Sequence, residues 1–270
     1  MPQNTNIPVT RLANVIPGAK ALDDDSKGVN ETFVGLIETD IGKIRAYIKV
    51  LDSKQLVNEL ICSTFGRAVG LPIPEGFIVR VRSEDLPESE MLSGYEGEAL
   101  IFACADVGYP SLARRMKQDG DGYLVDLLKS WKHWDSTSIF DEWFANADRH
   151  QGNLLVQDAK TVWLIDHGHA LTGPNWSVSD LNPNVQTKNQ IADYMFPKLT
   201  LPERMIVRSK ANAHANNYKL VDTDVALKSC KANDLLSVDD LSAVNKFISE
   251  RVDNITDLVS SRLGIPNMGV

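Results

Sequence analysis

The stretch Asp148-Arg149-His150-Gln151-Gly152-Asn153, with Asp166-His167-Gly168 beginning thirteen residues beyond Asn153, leaves this 270-residue chain few ways to fold locally. Between Asn153 and Asp166 the chain runs Leu154-Leu155-Val156, then Gln157-Asp158-Ala159-Lys160, then Thr161-Val162-Trp163-Leu164-Ile165. Two apolar, β-rich runs around four mostly polar residues predict a hairpin. The residue entering its first strand and the one leaving its second then lie side by side. Asn153 and Asp166 meet at one mouth, with Asp148 just upstream. One carboxylate and one carboxamide offer the oxygen donors that suit Mg²⁺, a cation that keeps several waters and completes its shell from phosphate. A second carboxylate, offset from the metal, can accept a hydroxyl proton and orient the oxygen. The same residues also fit a polar turn with scattered acids, because Asp and Asn favour turns by themselves.

Composition narrows the setting. Hydrophobic content of 43% with 24% charged residues is globular, and the length allows one two-lobed domain or two small ones. A net charge of −8 argues against a nucleic-acid binder. Arg114, Arg115 and Lys117 are the nearest approach to a basic patch and read as a solvated helix face. Cys62, Cys104 and Cys230 are odd in number and lack metal spacing, which fits a reducing compartment. No basic-then-apolar leader opens the sequence, and no apolar run approaches the ~20 residues of a membrane helix. The expectation is a cytoplasmic protein with no membrane association.

Along the chain, Val9–Ile16, Thr32–Glu38, Ile44–Val50, Gly76–Arg82 and Glu98–Cys104 read as strands. Asp40 and Gly42 turn the second of these into the third. A helix follows, capped by Asp52 or Ser53, with Leu56, Val57, Leu60, Ile61, Phe65, Ala68 and Val69 as its apolar face and Gly70 and Pro72 as its stop. After Asp106 helices dominate: 111–118, 122–134, one ending near Ala147, 201–217, 222–232, and a last one from Ser237 to Gly264. Residues 173–198 read as a loop. The expected fold class is α+β: a small, mostly antiparallel β-rich lobe over 1–105, then a larger helical lobe over 106–270 that carries the hairpin 148–168.

The residue types in this plan match something specific. Asn146-Ala147-Asp148-Arg149-His150-Gln151-Gly152-Asn153 with Asp166-His167-Gly168 resembles the catalytic core of the HipA-like kinases. It is also similar to the loops of phosphatidylinositol 3- and 4-kinases, and its spacing is that of protein kinases, with a DHG tripeptide where those have DFG. Asn58-Glu59 and Gly70-Leu71-Pro72-Ile73-Pro74 look like further stretches of the HipA-like pattern, which extends over about residues 26–172.

The resemblance implies a two-lobed kinase fold and an ATP- and Mg²⁺-dependent phosphotransferase, with a protein Ser/Thr acceptor first among the candidates. Asp148 would be the catalytic acid-base residue, and Asn153 and Asp166 the metal ligands. Lys49, on a strand, would bind the α/β-phosphates with Glu59 as its partner. A lysine inside such an apolar run usually snorkels to solvent, which is the other reading of Lys49. By helical angle Glu59 lies opposite the apolar stripe, facing either the cleft or water. Ser26, Lys27 and Gly28 stand where a phosphate-covering loop belongs, although they contain one glycine and no GxGxxG. Leu100–Ala105 would supply an adenine-binding connector.

His150, His167 and His169 crowd the motifs without HExxH or cysteine spacing, so a zinc site is not expected. Two other readings stay open: a lipid or small-molecule hydroxyl kinase, and a nucleotide-binding module without turnover. An antitoxin-like or regulatory protein partner is implied by the family alone; direct nucleic-acid binding is not expected.

Overall fold

The computed structural model describes residues 6–22, 30–120, 122–158 and 160–265. Alternating apolar residues build its first part. β1 (Arg11–Val15), β2 (Lys20–Ala21), β3 (Thr32–Thr39), β4 (Gly42–Lys49), β5 (Gly76–Val81) and β6 (Ala99–Ala105) form one sheet in the order β1-β5-β6-β4-β3-β2. β1 pairs parallel with β5, the other neighbours are antiparallel, and a short β1–β3 pairing at Asn14–Glu38 and Val15–Ile37 closes five strands on themselves. Side chains alternate across a strand, so Ala46, Ile48 and Val50 enter the closed core with Phe33, Ile37, Phe77, Val79 and Ile101. Tyr47 and Lys49 therefore point outward. Gly35 is required where β2's approach passes: a Cβ there would lie 2.6 Å from Ala19 Cβ.

The helices are α1 (Ser53–Ala68), α2 (Leu112–Asp119), α3 (Gly122–Ser130), α4 (Trp134–Trp143), α5 (Gln190–Met195), α6 (Leu201–Tyr218), α7 (Thr223–Ser229), α8 (Ala232–Leu235) and α9 (Val238–Arg262). Between α4 and α5 lies the antiparallel hairpin of β7 (Leu154–Val156) and β8 (Val162–Leu164), with Leu155 opposite Trp163. Asp158 Oδ1 holds its turn by accepting from Lys160 N at 2.7 Å and Thr161 N at 2.8 Å. The fold is α+β, as the pattern of strands followed by helices requires.

Three local expectations needed revision. The helix expected over 122–134 ends at Ser130, whose hydroxyl turns back onto Asp126 O at 2.8 Å and Leu127 O at 3.1 Å; α4 then starts afresh. The helix expected over 222–232 divides at Lys231, which adopts φ +64°. Residues 173–198 contain α5 rather than loop alone.

α1 decides how the parts meet. Asp52 caps it, accepting from Lys54 N at 3.0 Å and Gln55 N at 2.9 Å, and Gly70 at φ +81° ends it. β5, β6, α7 and α8 all pack against this helix, which is buried almost all round. On α4, Trp143 stacks on Tyr218 at 4.5 Å between ring centres, meets Phe65 edge-on and donates Nε1 to Ile248 O at 3.0 Å. No helix of the described residues is long and apolar enough to cross a membrane.

Candidate active site

The hairpin brings its mouth together as the sequence predicts. Ile165 N donates to Asn153 O at 3.1 Å, which seats Asp166 beside Asn153. Asn153 Nδ2 donates to Asp148 O at 2.7 Å. The amide nitrogen is thereby occupied, and Oδ1, the only metal-binding atom of a carboxamide, is the end left to serve a cation. The side chains of Asp148 and Asp166 are each 37% exposed, enough to reach a ligand. Asp166 takes φ +59°, a left-handed conformation that costs a non-glycine residue on the order of 1 kcal/mol and is held by its surroundings.

One of those surroundings is Lys49. Its Nζ lies 2.9 Å from Glu59 Oε1 and 3.1 Å from Asp166 Oδ1, with the side chain only 10% exposed. Burial opposes the ammonium, but Glu59 and Asp166 outweigh it and hold Lys49 above the ordinary lysine range. Glu59 takes the opposite course: burial would raise its pKa, and Lys49 with His167 pulls it well below a usual carboxylate. Its Oε2 accepts from His167 N at 3.0 Å. The snorkelling lysine and the solvent-facing glutamate are both excluded, since Lys49 is 8% and Glu59 2% exposed.

Beneath the mouth stands a motif residue whose role is not visible from sequence alone. Arg149 is 2% exposed; Nε and Nη2 grip Asp141 at 3.1 and 3.0 Å, while Nη1 donates to Asn153 O at 3.2 Å and Ile165 O at 2.7 Å. It thus pins both ends of the hairpin to α4. Asn146 joins the post, donating to Asp141 Oδ1 at 2.9 Å and accepting from Asp148 N at 3.2 Å. Asn58 is a second such residue. Its Nδ2 donates to Gly168 O at 2.8 Å, Ala170 O at 2.9 Å and Gly173 O at 3.1 Å, and its Oδ1 accepts from Trp176 Nε1 at 2.9 Å. The available signals were an acid pair, Asp141-Glu142, inside the apolar run Ile139–Phe144, and an asparagine within a buried helix.

The histidines separate. His150 Nδ1 accepts from Gly152 N at 2.9 Å, whereas His167 is buried with Nδ1 3.6 Å from Glu59 Oε2. Burial, aided by Arg149, lowers the pKa of His167. Among the described residues no three His, Cys, Asp or Glu side chains converge as a metal cluster. Phe102–Ala105 pair with β4 on one side and β5 on the other, so their backbone is committed to the sheet and free connector backbone begins only after Asp106. Ser26, Lys27 and Gly28 lie outside the described residues.

A sequence profile of the family described as HipA-like kinase matches residues 45–205, more than half of the chain. The chain belongs to the HipA-like kinases. Lys49, Glu59, Asp148, Asn153 and Asp166 all fall within the matched range. No curated protein matches the chain in sequence. Among solved structures, the Helicobacter pylori proinflammatory kinase CtkA is similar at 13% identity and a TM-score of 0.57, over 94% of this chain and 98% of that one. At that identity the likeness concerns the fold. As a HipA-like kinase, the protein is a kinase-type phosphotransferase.

Proposed function

We propose that this HipA-like kinase transfers the γ-phosphoryl group of Mg²⁺-bound ATP to a serine or threonine hydroxyl of a protein. The observation that carries this reading is Lys49 Nζ held between Glu59 and Asp166 at the hairpin mouth. A lysine fixed by a helix glutamate and set against a metal-binding aspartate is the arrangement phosphoryl transfer uses. Asp148 would accept the hydroxyl proton and aim the oxygen, and Lys49 would neutralise the α/β-phosphates. On this reading residues 1–105 form the lobe over the nucleotide and 106–270 the helical lobe beneath it. The closed sheet's own apolar core supports that division, while α1 packs into the core of the helices.

The donor set suits a hard divalent cation. Asn153 Oδ1 and Asp166 offer oxygens, and Glu59 and Asp166 together outnumber Lys49, with Asp148 adding another acid at the mouth. Bound there, Mg²⁺ would offset the negative charge of the phosphates. Catalysis by this chain is then positioning and charge placement rather than covalent chemistry.

Asp166→Ala is expected to abolish labelling from γ-labelled ATP while leaving the melting temperature and circular dichroism near those of the parent. Labelling at the parent's rate would overturn the assignment. With cell extract and phosphoinositide vesicles offered side by side, the label is expected in protein.

A further inference from the structure

The basic residues that the sequence leaves as a solvated helix face do something else in the fold. Arg114 and Arg115, in the first turn of α2, line a cavity of about 480 Å³ with Arg45, Tyr47, Asp106 and Tyr109. Arg45, Tyr47 and Lys49 alternate along one face of β4, so this cavity continues outward from the lysine at the hairpin mouth. We propose that it docks an acidic segment of the protein acceptor, with Arg114 and Arg115 as anchors. The inference rests on the nucleotide placement given above.

Charge leads to this occupant. Arg45 Nε donates to Asp106 Oδ2 at 2.8 Å, and Asp106 Oδ1 accepts from Gly108 N at 2.7 Å, so that pair cancels. Neither Arg114 nor Arg115 has an ion-pair partner among the described residues, in a chain of net charge −8. Arg115 Nε is buried without a hydrogen-bond partner, and Arg114 is exposed. A carboxylate meets a guanidinium fork through two parallel bonds.

The nucleotide does not supply that anion. Its phosphates belong at Lys49, Asn153 and Asp166. Arg45 stands four strand residues from Lys49, about 13 Å at the usual rise. What a nucleotide could extend toward it, base and ribose, is uncharged. The acceptor is the remaining source of carboxylates. Position agrees, because α2 packs on the turn Gln151–Asn153 and on β7, and Ser111 bridges to Leu155. A segment seated on α2 is thereby led toward Asp148. The rings of Tyr47 and Tyr109 provide apolar wall beside the charges.

The test uses two fluorescein-labelled peptides, each with one serine, one flanked by four Glu and the other by four Gln. Anisotropy titrations with the full chain, with and without Mg²⁺ and a non-hydrolysable ATP analogue, are expected to favour the Glu peptide about tenfold, less at high salt. R114E/R115E should lose that preference and instead favour a matching Lys peptide, a gain that misfolding cannot mimic. Equal binding of the Glu and Gln peptides by the parent would overturn the proposal. So would variants that weaken analogue binding but keep the Glu preference, since the cavity would then serve the nucleotide. If the parent prefers the Glu peptide through its arginines yet neither binds the analogue nor transfers label, docking stands and the phosphotransfer reading falls.

Discussion

Removing the Asp141 carboxylate should cost this protein a large part of its stability. The side chains of Asp141 and Arg149 are both 0% exposed, and their two bonds, at 3.1 and 3.0 Å, form a buried bidentate pair. Burial works against the Arg149 charge, and Asp141 more than restores it, so the guanidinium stays ionised in the fold. Asp141→Ala leaves that charge buried and without its counter-ion. Breaking one side of such a pair costs roughly 3–5 kcal/mol, out of about 5–15 kcal/mol for a typical whole fold. Asp141→Ala with Arg149→Met removes the orphaned charge. It still strands Asn153 O and Ile165 O, which Nη1 serves. The double variant should therefore be less destabilised than the two single losses added together, by at least about 2 kcal/mol. Urea titrations followed by tryptophan fluorescence, with matched slopes, give all four corners of the cycle. A loss below about 1 kcal/mol for Asp141→Ala, or strictly additive losses, would refute the argument that this pair is an interdependent post.

Asn58→Leu should destabilise the fold by about 3 kcal/mol, because it strands carbonyls of Gly168, Ala170 and Gly173 together with the Trp176 indole. Hydrogen exchange should quicken across 168–176; unchanged protection there would contradict the role. Acid should weaken the fold in two stages. His167 is lowered from the ordinary 6.5 by burial, so the unfolded chain gains its proton first and stability falls as pH drops below about 6.5. His214, lowered by burial as well, adds to that limb. Glu59, depressed below 4.5 by Lys49 against its own desolvation, adds a further loss below that pH. A denaturation midpoint constant from pH 7 to 5 would show the histidine argument to be mistaken. Finally, chelating divalent cations should weaken ATP binding at least about tenfold, because Glu59, Asp166 and Asp148 repel free triphosphate; calorimetry with and without EDTA measures this.

What could be read from the sequence was local. The hairpin needs only two short apolar runs and the Asp158 turn, and its register follows. Lys49's outward direction needs only alternation on β4. Closure of the sheet depends instead on β1 reaching both β5 and β3, contacts remote in sequence and only two residue pairs long on the β3 side. Arg149 was visible as a motif residue, but its partner sits on α4, eight positions earlier, as one of two acids in an apolar helix. Nothing in a single helix's periodicity says that such acids turn inward to meet arginines. Arg251 repeats the lesson: buried, it reaches Glu142 Oε1 with Nη2 at 3.4 Å and donates Nε to Glu142 O at 2.7 Å, and desolvation lowers its pKa to about 10.

Glu59 shows why a helical wheel leaves two orientations open where strand alternation gives one. A wheel gives angles around one axis and is silent about what covers each side. Here α7 and α8, from far along the chain, pack against α1 together with β5 and β6, so no angle on α1 faces water for long. Adjacent helix residues are about 100° apart, and α1 uses that separation at Asn58 and Glu59. Glu59 binds Lys49 and the backbone of His167, while Asn58 binds Gly168, Ala170 and Gly173. One turn of α1 therefore fixes the strand lysine and the segment after Asp166 together. A rotation by a single residue would release both, which makes the register of this helix, more than any one side chain in it, the determinant of whether Lys49 and Asp166 meet.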